Sequence, residues 1–188
     1  DNATLVFNSS EGGRSFLRQV TLTGEEANIV QHPGAAPLMD VSPDGRTFTF
    51  FGADVNGVLE MQQILRGAAW TERVAITRSF GDVQWMRYSA DRRRIVFTAT
   101  AVTPLRRSQL YISDPSCPIF NDDMACVVRI TEDDRTYSTP VFSPDGRLIL
   151  VTIGTGNNRN LFALDFDGAI VQQITDSVSA SYAGVSQP

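Results

Sequence analysis

The stretch VFSPDGRLILVTIG, Val141–Gly154, decides the fold. Each residue of Ser143-Pro144-Asp145-Gly146 has a local reason. Pro144 presets φ for the second position of a type I turn, and Asp145 suits the third. Gly146 takes the left-handed conformation that closes a hairpin with a bulge. TPVFS therefore enters the turn on one antiparallel strand and RLILVTI leaves it on the next. A weaker copy, DVSPDGRTFTFFG, places Ser42, Pro43, Asp44 and Gly45 in the same order. The strand leaving each turn is the unusual part. A half-buried antiparallel strand alternates apolar and polar residues. Leu148-Ile149-Leu150-Val151 does not, nor do Phe48-Thr49-Phe50-Phe51, Ile95-Val96-Phe97 and Leu5-Val6-Phe7. Strands of this kind are buried on both faces. Parallel α/β sheets achieve that with flanking helices, but no amphipathic helical stretch separates these strands. The economical solution is small antiparallel sheets packed face to face around a ring, an all-β propeller.

Self-comparison supports a repeat of this kind. The unit reads: short strand, turn, apolar strand, polar turn, strand, turn, strand ending in Thr. The turn serines Ser42, Ser89 and Ser143 lie 47 and 54 residues apart, the longer interval taking in a cysteine-containing loop. The approximate units are 1–34 with 182–188, then 35–80, 81–134 and 135–181, all within a single domain, 1–188. The first unit lacks its opening strand, and Tyr182–Pro188, YAGVSQP, looks like that strand. YAGVSQP followed by DNATLVF matches YSTPVFSPDGRLIL from Tyr137. The expected architecture is thus a closed four-bladed ring whose C-terminal strand completes the N-terminal blade. A segment of a larger propeller is the alternative.

FSPDGRLILVTI followed by NLFALDFDGAIVQQIT resembles the TolB-type β-propeller repeat family, whose SPDG-containing repeats are WD-like. The unit at Ser143 matches almost throughout, and the unit at Ser42 matches at SPDGR and AITRS. The middle unit departs at Ser89-Ala90-Asp91-Arg92, which lacks Pro and Gly, and the N-terminal unit keeps only its strands. The resemblance implies a propeller scaffold that binds a protein or peptide partner in the cell envelope. Prolyl oligopeptidase-type serine peptidases carry similar repeats beside a hydrolase domain, so an accessory propeller of a larger enzyme is the alternative.

Bulk properties narrow the function classes. The chain has 188 residues and a formal net charge of −5; all 16 basic residues are Arg. An acidic balance argues against nucleic acid as partner. No apolar run approaches the roughly 18 residues of a membrane span, so membrane insertion is not expected. The chain opens on Asp1 with no visible signal peptide, which reads as a mature form or a fragment. Cys117 and Cys126 bracket a short polar loop, and one such pair is expected to close as a local disulfide in an oxidising compartment, periplasmic or extracellular.

No catalytic, cofactor or metal constellation emerges. There is no G-x-S-x-G, and His32 is the single histidine, which rules out HExxH. Asp165-Phe166-Asp167-Gly168 lacks the further oxygens of a calcium loop and reads as a hairpin turn. Arg92-Arg93-Arg94 and Arg106-Arg107 fall toward opposite ends of one blade and read as two solvated turns. Trp70 and Trp85 read as blade packing. Glu132-Asp133-Asp134 opens a connection between blades. His32, Phe80, Tyr137 and Tyr182 occupy comparable connections and are the candidate partner contacts, since loops on a rigid scaffold carry binding. The competing reading of Tyr137 and Tyr182 packs each ring on a neighbouring blade, its hydroxyl on a local acceptor. The expected function is therefore non-catalytic binding of a protein or peptide.

Overall fold

A computed structural model describes residues 4–12, 14–32, 38–42, 44–53, 59–69, 74–75, 83–100, 107–114 and 127–176. Among them every regular element is a strand. The chain divides into two compact units, Asp1–Ile76 and Thr77–Pro188.

The first unit holds two antiparallel sheets. One is β1 (Thr4–Glu11), β2 (Arg14–Thr21) and β3 (Glu26–His32), in that spatial order. The other is β4 (Leu38–Val41), β5 (Thr47–Ala53), β6 (Leu59–Leu65) and β7 (Val74–Ala75). Leu17 of the first sheet packs with Phe48, Phe50 and Ile64 of the second, with Val6, Val41 and Ala68 around them. Phe48, Phe50 and Phe51 are all buried, as their failure to alternate requires. Leu5-Val6-Phe7 departs from that expectation. Leu5 is 65% exposed, and Val6 and Phe7 are half-buried. The reason is position: among the described residues β1 is an edge strand, paired only with β2.

The second unit also holds two antiparallel sheets, each of four strands in sequential order. They are β8 (Val83–Tyr88), β9 (Ile95–Thr100), β10 (Ser108–Ser113) and β11 (Val127–Arg129), then β12 (Tyr137–Phe142), β13 (Ile149–Thr155), β14 (Asn158–Leu164) and β15 (Ile170–Gln173). Their common core joins Val96 and Leu110 of one sheet to Tyr137, Phe142, Ile149, Val151, Ile153 and Leu164 of the other. Each such side chain taken out of water contributes about 1.5–3 kcal/mol. β12 packs against β8 and β9, so the leading strands of the two sheets are neighbours. Arg94 crosses between the sheets, its guanidinium 4.4 Å from the Phe166 ring centroid. It is therefore a packing residue, whereas Arg92 and Arg93 are exposed.

Three turns join the leading strand of a sheet to the next, and all are built alike. The serine hydroxyl donates to the carboxylate two residues on: Ser42 to Asp44 at 2.5 Å, Ser89 to Asp91 at 2.6 Å, and Ser143 to Asp145 at 2.6 Å. The same Oδ1 accepts the backbone N–H of Arg46, Arg93 or Arg147 at 3.0–3.1 Å. The serine oxygen in turn accepts the N–H of Thr47, Arg94 or Leu148 at 2.9–3.0 Å. Gly45 and Gly146 adopt φ of 67° and 68°; Arg92, in their place, adopts 65°. The unit that lacks Pro and Gly thus makes the same turn, because the serine and aspartate side chains hold it. The outer strands end alike too. Thr131 Oγ1 accepts the Leu110 N–H and Thr175 Oγ1 that of Leu161, both at 3.0 Å, which explains the recurrent terminal Thr.

Candidate functional site

Binding on such a scaffold needs groups that are fixed in place and open to solvent. The leading strands are fixed irregularly. Each of β4, β8 and β12 carries a register shift against its neighbour, between Leu38 and Asp40, Gln84 and Met86, and Ser138 and Val141. A bulge inserts an unpaired residue and turns its side chain out of the regular alternation. In β8 that residue is Trp85, at φ 47°; in β12 Thr139 stands at φ 49°. Left-handed backbone is costly for bulky and β-branched residues, so both bulges are held by their surroundings. Thr98 Oγ1 donates to the Gln84 carbonyl at 2.7 Å, and the Thr139 and Thr152 hydroxyls meet at 2.9 Å. These bonds also satisfy the buried Thr98 and Thr152 within otherwise apolar strands. The two bulges differ in outcome: Thr139 turns inward onto Thr152, while Trp85 remains 44% exposed. Trp85 is therefore not the packing residue its sequence context predicts.

The connection from β11 to β12 is fixed from beneath. Gln109, 1% exposed, donates through Nε2 to the carbonyls of Asp133 at 3.1 Å and Arg135 at 2.9 Å, and its Oε1 accepts the Asp133 N–H at 3.3 Å. Asp133 Oδ1 accepts the Arg135 N–H at 2.9 Å, and Oδ2 accepts the Tyr137 hydroxyl at 2.8 Å. Tyr137 is 1% exposed, so its ring belongs to the core and offers no surface to a partner. Burial, then the bond to Asp133, pushes its hydroxyl up to about 12. Glu132 pairs with Arg129 at 3.0 Å. Asp134 is exposed and makes no bond to the described residues. The acidic run thus has one structural carboxylate, one paired and one free.

The other candidates fall unevenly. Cys117, Cys126, Phe80, Tyr182 and Pro43 lie outside the described residues, as do residues 182–188. His32 is described only as the last residue of β3, opposite Ser15. Ser42, Asp44, Gly45, Ser89, Asp91, Ser143, Asp145 and Gly146 are turn-forming. The serine hydroxyl, and next the Arg N–H, hold the Asp91 and Asp145 carboxyls below the usual carboxylate range. Asp165 accepts the N–H groups of Asp167 and Ala169 at 3.0 and 2.9 Å, a hairpin turn. Among the described residues no three His, Cys, Asp or Glu side chains are grouped to hold a metal ion.

Solved structures share this arrangement of sheets. A protein assigned as TolB from Agrobacterium tumefaciens superposes with a TM-score of 0.70 at 19% identity, over 92% of this chain and 61% of that one. These are TolB-like propeller blades. An oligogalacturonate lyase in complex with manganese gives a TM-score of 0.62 at 13% identity, over 90% of this chain and 50% of that one. A prolyl endopeptidase gives 0.61 at 14% identity, over 92% and 26%. The chain therefore spans less than two thirds of the length of each of these three chains. No protein-family model and no curated protein matches the sequence.

Proposed function

We propose that this chain is a non-catalytic propeller scaffold that binds a protein or peptide partner, in the cell envelope or outside the cell. The observation that carries the reading is the connection at 131–136. Gln109 and Tyr137 hold its backbone, while Glu132, Asp134 and Arg135 stay exposed. A loop ordered before binding loses less conformational freedom on binding. The likeness to TolB supports a scaffold, although blades of this kind serve many functions. A Cys117–Cys126 disulfide belongs to the same proposal and implies an oxidising compartment. So does a closed four-bladed ring in which residues 182–188 supply the strand beside β1. Nucleic acid is no part of it, since a net charge of −5 opposes a phosphate backbone. Among the described residues no helix is long and apolar enough to cross a membrane.

The test is cross-linking of the purified chain in envelope fractions, then reconstitution with the captured protein. Gln109→Leu frees the loop but leaves its charges. A partner that binds wild type and loses affinity for Gln109→Leu supports the scaffold. Equal binding to both, or turnover of a small substrate with no macromolecular partner, refutes it.

A second reading, an accessory or gating propeller of a larger enzyme such as a prolyl oligopeptidase-type serine peptidase, is supported by the prolyl endopeptidase likeness. A G-x-S-x-G with Asp and His in the same parent reading frame would establish it; a stop codon after Pro188 would remove it.

A further inference from the structure

We infer that β15 is a self-association edge, along which two copies of this chain pair antiparallel over residues 170–174 and join two blades into one continuous sheet. The inference goes beyond the scaffold reading and does not depend on it. Three observations carry it.

The first is an edge without protection. All four residues of β15 are exposed, Val171 at 58%, and Ile174 just beyond them is exposed too. Among the described residues β15 is an edge strand, paired only with β14. Exposed edges are normally blunted by charge, by Pro or by shortness. The other outer strands follow that rule: β3 carries Glu26, β11 carries Arg129, and β7 is two residues long. Residues 168–175 contain neither charge nor Pro. They present Ile170, Val171 and Ile174 instead, β-branched side chains that suit a further strand.

The second is the direction of the backbone groups. The Ile174 N–H turns inward and donates to the Leu161 carbonyl at 2.8 Å. Successive residues of an antiparallel strand point their N–H and carbonyl to opposite sides. Those of Gln173, opposite Phe162 in the ladder, therefore face outward.

The third is self-complementarity. A two-fold axis at Gln173 lets the two copies of that residue exchange both backbone hydrogen bonds. It sets Val171 opposite Thr175 of the second copy, and Gln172 opposite Ile174. Asp176 falls opposite Ile170, so no two carboxylates are opposed, an arrangement that would be destabilising. A charged segment would find no countercharge on this strand, whereas a second copy brings none to be matched. An isologous contact uses up both edges and closes at two copies. A ladder of about five residues is smaller than the roughly 800 Å² per partner of a standard interface, so the dimer belongs to the weak class.

The test is sedimentation equilibrium of the purified chain from micromolar concentration to about 1 mM, the range of weak association, with hydrogen exchange at both ends of it. The expected result is a reversible monomer–dimer equilibrium, with exchange slowing at residues 170–174 and not in β11 as concentration rises. Added salt should tighten it, because screening relieves the repulsion between two chains of charge −5. Val171→Asp and Gln173→Pro should each weaken it about tenfold or more. Gln173→Pro removes an outward N–H that the β14 pairing does not use, a place where an edge strand tolerates Pro, so its melting midpoint at low concentration should stay near that of wild type. A wild type that remains monomeric throughout overturns the inference, as an edge already covered by this chain's own C-terminal residues would. Association that survives both variants, weakens with salt or slows exchange elsewhere also overturns it. A monomeric wild type that still binds a protein partner overturns the inference and leaves the scaffold reading standing.

Discussion

Gly168 sits so close to Ile130 that a β-carbon on it would lie 2.2 Å from the Ile130 carbonyl oxygen. The hairpin after β14 therefore presses its backbone on the outer edge of the preceding blade. The hairpin after β2 has the same build: Gly24 stands at φ 85° and Gly168 at 82°, and each N–H bonds the carbonyl three residues back. Nothing lies within 4 Å of a β-carbon on Gly24.

That pair separates backbone strain from packing. Gly24→Ala should cost only the left-handed penalty, about 1–2 kcal/mol. Gly168→Ala should cost that plus displacement of Ile130, and so clearly more. Urea denaturation of both variants checks the difference; equal losses would show that the blade contact contributes nothing.

The acid limb should report the turns. Asp91 and Asp145 titrate below the ordinary carboxylate value of 3.8 in the fold, so their contribution is present above it and is lost as pH falls through and below it. Ser89→Ala and Ser143→Ala remove the largest cause of the shift. The double variant should melt lower than wild type near neutral pH, with the gap narrowing as pH approaches 3. A gap independent of pH would separate the hydroxyls from the carboxylates.

Much of this was legible in the sequence, and the missing parts share a cause. Pattern located the turns, the doubly buried strands and the terminal Thr, because each repeats a residue type at a fixed place. Ser89-Ala90-Asp91-Arg92 looked like a departure because Pro and Gly carry the turn signal, whereas Ser and Asp carry the turn. Leu5 was misread because burial depends on what stands beside a strand, which a run of apolar letters does not contain. Trp85 was missed because a one-residue bulge changes register without changing composition. Tyr137 stood between two readings until its acceptor, Asp133, was known. Half of the proposed contact residues, Phe80 and Tyr182, lie outside the described residues.

The alkaline limb should report Tyr137. Its neutral form is favoured in the fold, so its contribution is present below the ordinary value of 10 and is lost as pH rises from there toward about 12. Tyr111, also raised by burial, adds to the same loss. The chain has no lysine, so no ammonium side chain titrates in that window. Tyr137→Phe should lower stability by about 1–2 kcal/mol at pH 8 and leave a shallower decline from pH 10 to 12. Denaturation at both pH values checks it; an unchanged slope would assign the decline elsewhere.

Gln109→Ala should remove about 1–3 kcal/mol, because the Asp133 and Arg135 carbonyls lose their donor. Hydrogen exchange should quicken at residues 133–136 before it does in β13. Uniform quickening would mean that the side chain supports the whole unit rather than the connection.

The serine–aspartate clamp also bears on how such proteins are counted. Side chains at two positions fix the backbone, leaving the intervening residue and the one after Asp free to vary, as Ala90 and Arg92 show. Lineages can therefore lose Pro and Gly from a blade without losing the blade. A tally keyed to those two residues underestimates ring size, whereas Ser-x-Asp-x-Arg recovers all three turns of this chain.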